Sequence, residues 1–165
     1  MGKRKKILAL CATENIELDL SSCWAEEDSI QVQEYSKPTV KTIALSKSPD
    51  VKIKNKIGDF FRKYNIIVYG FTDKSLNIDI VFLLNGYSCL CRSNLITNNV
   101  KNITISLVSK NKPKELMQEL EDAEITVEAQ GDGIYHFQYM FNFQIAVLDE
   151  LPKKEKSWLK TLTSN

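Results

Sequence analysis

This sequence is poor in the features that assign a protein to a special class at once. Its 165 residues include only 4 cysteines, 1 histidine and 4 prolines, and the formal net charge is +1. A charge this close to zero excludes a strong overall field for attracting nucleic acid, although a local basic patch is compatible with it. No repeat, low-complexity block or Pro/Gly-rich linker interrupts the sequence. We therefore expect a single domain over residues 1–165.

The cysteines and the histidine do not have the spacing of a metal site. Cys11 and Cys23 stand alone, Cys89 and Cys91 form a C-x-C pair, and His136 is distant in sequence. Zinc sites usually need four nitrogen or sulfur ligands at short paired spacings. The sequence also has neither G-x-G-x-x-G nor G-x-x-x-x-G-K-[ST], the loops that bind nucleotide phosphates. We expect no metal site and no nucleotide cofactor.

Long hydrophobic runs are missing as well. No run approaches the roughly 20 apolar residues that a membrane-spanning helix needs. The basic residues 3–6 precede only a short apolar run at residues 7–12, and Glu14 and Glu17 follow directly, which is unlike a secretory signal. Cysteines without a disulfide pattern are typical of a reducing compartment. These features predict a cytoplasmic protein with no membrane partner.

The first half of the sequence alternates between helical and strand patterns. A helix over residues 5–18 and two strands over residues 29–35 and 39–45 are predicted first. The spacing of Ile53, Ile57, Phe60, Phe61 and Tyr64 then predicts a helix with one apolar stripe, ending at residue 65. Residues 66–69 are β-branched or aromatic, which indicates a central strand buried on both faces.

The second half begins with an almost wholly apolar helix over residues 78–91, with Ser75 or Asn77 as its N-cap. Such a helix is expected to lie between layers or against a partner. The later patterns predict a strand at 103–108, a helix from Pro113, a hairpin of 125–128 with 134–138, a strand at 141–148 and a last helix from Pro152. This interleaving predicts an α/β (α+β) fold in which helices flank a central mixed sheet.

Residues 51–89 resemble the catalytic core of the PD-(D/E)XK nuclease superfamily, whose fold is restriction-endonuclease-like. More closely, the sequence is similar to bacterial proteins of the recombination-promoting nuclease and putative transposase type. The resemblance lies in VKIKNKIG at 51–58, RKYNII at 62–67, Ser75-Leu76 and Gly86-Tyr87.

The resemblance implies a metal-dependent site whose residues have been replaced here. In the superfamily, an aspartate and a Glu-x-Lys pair on adjacent strands hold Mg²⁺ and activate water. The pattern places the aspartate at Lys41, the glutamate at Val68 and the lysine at Gly70. Valine cannot ligate a metal, glycine cannot assist proton transfer, and Lys41 would repel a cation. We therefore expect a catalytically inactive protein, a pseudoenzyme that needs no cofactor.

Three alternatives remain open from the sequence. A migrated catalytic set near Asp73, Lys74 and Asp79 would make an active Mg²⁺-dependent nuclease. A basic cluster could bind DNA or RNA through phosphate contacts; its residues are Lys52, Lys54, Lys56, Arg62 and Lys63. The apolar helix over residues 78–90 could instead form the interface of a homodimer, or of a protein-interaction module with no nucleic-acid role.

Overall fold

A computed structural model describes residues 30–37, 40–47, 50, 56–70, 74–94 and 99–156. Within them, seven strands form one sheet in the order β1-β2-β3-β4-β7-β6-β5. The strands are β1 (Ile30–Lys37), β2 (Val40–Lys47), β3 (Tyr64–Gly70), β4 (Ile103–Ser109), β5 (Val127–Gly131), β6 (Ile134–Gln138) and β7 (Asn142–Val147). The α-helices are α1 (Lys56–Asp59), α2 (Ile78–Asn94), α3 (Lys114–Asp122) and α4 (Lys153–Lys156), and a short 3-10 helix spans Val100–Asn102.

The sheet is parallel in its middle and antiparallel towards both edges. Strand β4 pairs in parallel with β3 on one side and with β7 on the other. Strands β1, β2 and β3 form an antiparallel meander, and β5 and β6 add an antiparallel hairpin beside β7. The predicted α+β fold, a central mixed sheet flanked by helices, is confirmed. The predicted helix over residues 5–18 lies outside the described residues.

Helices α2 and α3 cover one side of the sheet, which we call the first face. Val81 and Leu84 of α2 and Leu116 and Leu120 of α3 belong to one buried cluster with residues of the central strands. Phe143 of β7 lies in this cluster with no exposed surface, and its ring is stacked on that of Phe137 at a centroid distance of 4.7 Å. Burial of apolar surface here is the main stabilising contribution to the fold.

The opposite side, the second face, packs against α1 and the segment before α4. Ile57 and Leu151 are buried there against Ile67, Tyr69 and other strand residues. Buried Gln144 of β7 fixes α1 in place, because its Nε2 donates hydrogen bonds to the Ile57 carbonyl at 2.9 Å and to Ser106 Oγ at 2.7 Å. The central strands are thus covered on both faces, as the apolar run at 66–69 predicted.

The predicted end of the first described helix, at residue 65, is wrong. Helix α1 ends at Asp59, and Tyr64 is the first residue of β3. Asn65 lies within the strand, where its side chain accepts from Arg62 N and donates to Arg62 O, both at 2.7 Å. Thr104 Oγ1 donates to the same Asn65 Oδ1 at 2.7 Å. Pairing with β2 and β4 therefore overrides the helical spacing of the apolar residues.

Helix α2 starts as predicted but is buried on one side only. Asn77 is the cap, since its Oδ1 accepts from Ile80 N at 3.2 Å. Glu119 of α3 adds a carboxylate, which accepts from Ile78 N at 2.8 Å. Among the α2 side chains that the structure describes, Val81, Leu84, Asn85 and Ser88 are buried, whereas Phe82 and Leu83 are exposed. Among the described residues, no helix combines the length and apolar character needed to cross a membrane.

The predicted hairpin is confirmed between β5 and β6. Asp132 and Gly133 form its turn with φ angles of 49° and 75°. A side chain at Gly133 would also collide with its surroundings, since a Cβ there would lie 2.7 Å from Glu150 Cβ. This position therefore requires glycine for both its backbone angle and its packing.

Candidate functional site

Val68 and Gly70, which the resemblance places at the Glu-x-Lys positions, lie at the end of β3 on the first face of the sheet. Val68 is 1% exposed and belongs to the same buried cluster as Leu76, Val81 and Leu107. These neighbours are apolar. An ionised group in place of Val68 would therefore lose contact with water and find no opposite charge among them. The position is part of the hydrophobic core.

The end of β3 is covered by the segment that precedes α2. A Cβ built on Gly70 would lie 2.8 Å from Leu76 Cγ and 3.1 Å from Ser75 Cβ. Leu76 and Ser75 are themselves buried, at 1% and 6% exposure. A side chain as long as lysine therefore cannot leave position 70 unless this segment moves.

The register of β2 shows which of its residues lies opposite Val68. Thr42 pairs with Val68, whereas Lys41 pairs with Tyr69. The residue opposite Val68 is thus Thr42 rather than Lys41. No residue of β2 is a carboxylate.

A divalent cation does not fit this strand end. Mg²⁺ prefers carboxylate and other oxygen ligands, and Val68, Gly70 and Leu76 offer no side-chain oxygen. Among the described residues, no group of three or more His, Cys, Asp or Glu side chains is arranged to hold a metal ion. Asp79 and Lys74 are exposed near the start of α2, and Asp73 lies outside the described residues.

Three of the basic residues that the sequence suggested for phosphate binding make contacts within the fold. Lys56 forms an ion pair with Asp132 of the β5–β6 turn. Arg62 Nη1 donates to the backbone carbonyl of Asp59, the last residue of α1, at 3.3 Å and to that of Phe61 at 3.2 Å. The Lys63 ammonium lies 5.3 Å from the centre of the Tyr64 ring. Lys52 and Lys54 lie outside the described residues.

A second group of lysines, which the sequence reading missed, lies where the parallel strands end. Lys110, Lys112 and Lys114 follow β4 and are exposed. Lys112 is partly engaged, because its ammonium lies 4.6 Å from the centre of the Tyr135 ring, whose hydroxyl donates to Glu150 at 2.6 Å. The same edge of the sheet carries further exposed lysines at positions 74, 153 and 154. The sequence feature that could have revealed this group is the K-x-K-x-K spacing of residues 110–114, at the start of a helix.

An exposed apolar surface joins the helix that the sequence suggested as an interface to the β6–β7 turn, which the sequence did not indicate. Phe82 and Leu83 of α2 are 47% and 38% exposed, and Tyr139 and Met140 of the β6–β7 turn are 45% and 56% exposed. The Phe82 and Tyr139 rings contact edge to face at a centroid distance of 5.7 Å. The two segments therefore form one continuous surface.

His136 lies on the second face without the surroundings of a catalytic base. It pairs with Gln144 on β7 and Glu128 on β5, and its ring centre lies 4.7 Å from that of Phe60. Burial lowers the pKa of His136, and the charge of Glu128 opposes this shift in part. The neutral imidazole is therefore the form that the folded state prefers.

This preference gives a pH dependence of stability. Because the pKa of His136 is lower in the folded state than its usual 6.5, the unfolded chain binds the proton more readily. The contribution of neutral His136 to the free energy of unfolding is fully present above about pH 6.5. It is lost as the pH falls through the lower folded-state pKa of His136. We expect wild type to lose more stability than His136→Gln between about pH 7.5 and 5.5 in urea unfolding. Parallel pH profiles for the two proteins would contradict this assignment.

Comparison of the chain with family models, with curated proteins and with solved structures gives no match.

Proposed function

We propose that this chain is a PD-(D/E)XK-type protein that has lost cleavage and works by binding. The observation that carries the proposal is the contact of the Ser75-Leu76 segment with the end of β3, where a Cβ on Gly70 would lie only 2.8 Å from Leu76 Cγ. Metal-dependent hydrolysis of a phosphodiester needs space at this strand end for a cation, a water and the phosphate. Here the space is filled by apolar core.

The order of the elements supports the same proposal. An antiparallel strand pair, a helix, a strand, a helix and a strand follow one another from β1 to β4, which is the order that the family resemblance implies. Replacement of an active site by core residues leaves such a scaffold intact, because the fold depends on burial rather than on the catalytic groups. A cytoplasmic location belongs to the proposal, on the basis of the cysteine pattern.

The test is a cleavage assay with the full chain. Plasmid DNA, single-stranded DNA and RNA are incubated with the protein and Mg²⁺ or Mn²⁺, and we expect no metal-dependent product. Asp79→Ala and Lys74→Ala serve as matched variants, since both residues are exposed and neither change disturbs the core. Metal-dependent cleavage that either variant abolishes would contradict the proposal and establish an active nuclease with migrated residues.

The lysine-rich strand edge supports nucleic acid as a second candidate partner. Lysines that contact phosphates bind regardless of sequence and release counterions, so the affinity falls steeply with salt. Lys110 and Lys114 are the best placed for such contacts, because both are exposed and they flank the start of α3. The acidic Asp149 and Glu150 on the same edge reduce the local positive charge.

A gel-shift titration at low and moderate salt tests this second candidate. We expect a salt-dependent shift for wild type. The double variant Lys110→Gln/Lys114→Gln should release about one to two fewer counterions on binding, so its log affinity falls less steeply with log salt concentration. Lys101→Gln is the control, since it removes an exposed lysine that belongs to neither basic group. The absence of any shift at low salt would exclude nucleic-acid binding.

A further inference from the structure

The exposed apolar residues of α2 and the β6–β7 turn form one surface, which we call the α2 patch. It consists of Phe82, Leu83, Cys89, Tyr139 and Met140. Ring contact joins Phe82 to Tyr139, and Cys89 Sγ lies 3.2 Å from Met140 Sδ. Soluble proteins seldom leave large apolar side chains grouped together in solvent unless the group serves as a binding surface.

Gly86 lies in the middle of the helical part of this patch. It falls three and four residues after Leu83 and Phe82 and three before Cys89, so all four positions neighbour one another on the helix surface. A Cβ built on Gly86 would meet nothing within 4 Å. An exposed glycine inside a helix is unfavourable relative to alanine, and no contact within the described part of the chain requires it.

We propose that the α2 patch is the contact between two copies of this chain, with their α2 helices crossing at Gly86. A glycine at a crossing point lets two helix backbones approach closely, and Phe82 and Leu83 then pack beside the partner's helix. A two-fold axis through the crossing pairs the same surface on both copies, as in most homodimers. The inference rests on the proposed function, in which the chain works by binding.

The exposed area matches what such a contact requires. Phe82, Leu83, Tyr139 and Met140 are 38% to 56% exposed. With 150–250 Å² for an aromatic side chain, Phe82 and Tyr139 alone offer roughly 140–230 Å² per copy, and Leu83 and Met140 add to this area. A standard interface buries about 800 Å² per partner, of which a little over half is apolar. The α2 patch thus supplies a large share of the apolar part, and its polar margin includes exposed Asp79 and Gln138.

Sedimentation of the full chain under reducing conditions, over roughly 1 to 100 µM, tests the proposal. We expect a monomer–dimer equilibrium for wild type, with a dissociation constant on the order of micromolar. Gly86→Glu is the diagnostic variant, because its side chain enters open space in the monomer but blocks the crossing. We expect its dissociation constant to rise on the order of 30-fold or more, while its unfolding midpoint is unchanged or higher.

Gln130→Glu is the matched control, since it adds the same charge at an exposed position of β5 and should dimerise like wild type. A wild-type monomer throughout the concentration range would overturn the proposal and leave the patch to another segment or another protein. Unchanged dimerisation of Gly86→Glu would also overturn it. The cleavage assay is independent of these outcomes: a monomer that does not cleave refutes only the dimer, and a dimer that cleaves refutes only the proposed function.

Discussion

Replacing Val68 with glutamate is expected to destabilise the protein by about 3–5 kcal/mol or more, rather than to restore a nuclease. Val68 is 1% exposed within an apolar cluster. A carboxylate there must either lose its hydration without a counter-charge or take up a proton at high cost. Domains of this size have a total stability of only about 5–15 kcal/mol, so the change removes much of it. Urea unfolding followed by circular dichroism measures the loss.

Ala129→Glu provides the matched control for this prediction. It also places glutamate on a strand in exchange for a small apolar residue, but position 129 is exposed on β5. Surface substitutions of this kind usually change stability by less than about 0.5 kcal/mol. If Val68→Glu were as stable as Ala129→Glu, the end of β3 would have to be accessible to water.

The local signals of the sequence were sufficient for most of the fold. The apolar run at 66–69, the Gly131–Gly133 turn and the Pro113 helix start each depend on neighbouring residues, and all three are confirmed. The end of α1 could not be found in this way. Tyr64 continues the helical spacing, yet its backbone pairs with Ile103, which lies 39 residues later. Long-range pairing decides such a boundary.

For the candidate site too, the residue identities could be read from the sequence, whereas the packing and the strand register could not. That Val68 and Gly70 replace catalytic groups is a prediction from the family resemblance. That Leu76 packs over the strand end depends on the path of the chain before α2, which the sequence does not specify locally. The register that pairs Thr42 rather than Lys41 with Val68 is a property of the β2–β3 pairing as a whole. A shift by one residue would reverse the face of every side chain on the strand.

The two-sided character of α2 shows how composition can mislead. The apolar sequence of this helix predicts a position between layers or against a partner; in the structure Phe82 and Leu83 are exposed while polar Asn85 and Ser88 are buried. Periodicity cannot separate the sheet-facing side from the outer side when apolar residues occupy both. Exposed apolar residues on the outer side are then the feature that needs a reason, and association with a second copy provides one.

Introducing lysine at Gly70 is expected to be as damaging as glutamate at Val68, for a steric reason as well as an electrostatic one. Even Gly70→Ala should cost about 1–3 kcal/mol, because its Cβ would lie 2.8 Å from Leu76 Cγ in a packed core. The lower entropy of the unfolded alanine variant offsets only about 0.4–1 kcal/mol of this. Gly70→Lys adds the cost of burying a charge, so we expect it to be largely unfolded.

A double-mutant cycle with Leu76→Ala separates the steric cause from a general intolerance at position 70. Leu76→Ala alone should cost about 2–5 kcal/mol, since it truncates a side chain that is fully buried in the first-face cluster. In combination with Gly70→Ala it removes the atom that the new Cβ would strike, so the pair should be more stable than the sum by roughly 1 kcal/mol or more. Gly86→Ala, where the Cβ meets nothing within 4 Å, should instead raise monomer stability by up to about 1 kcal/mol. Strict additivity of the two changes would mean that Leu76 does not close the strand end, and the main support for a non-catalytic protein would be removed.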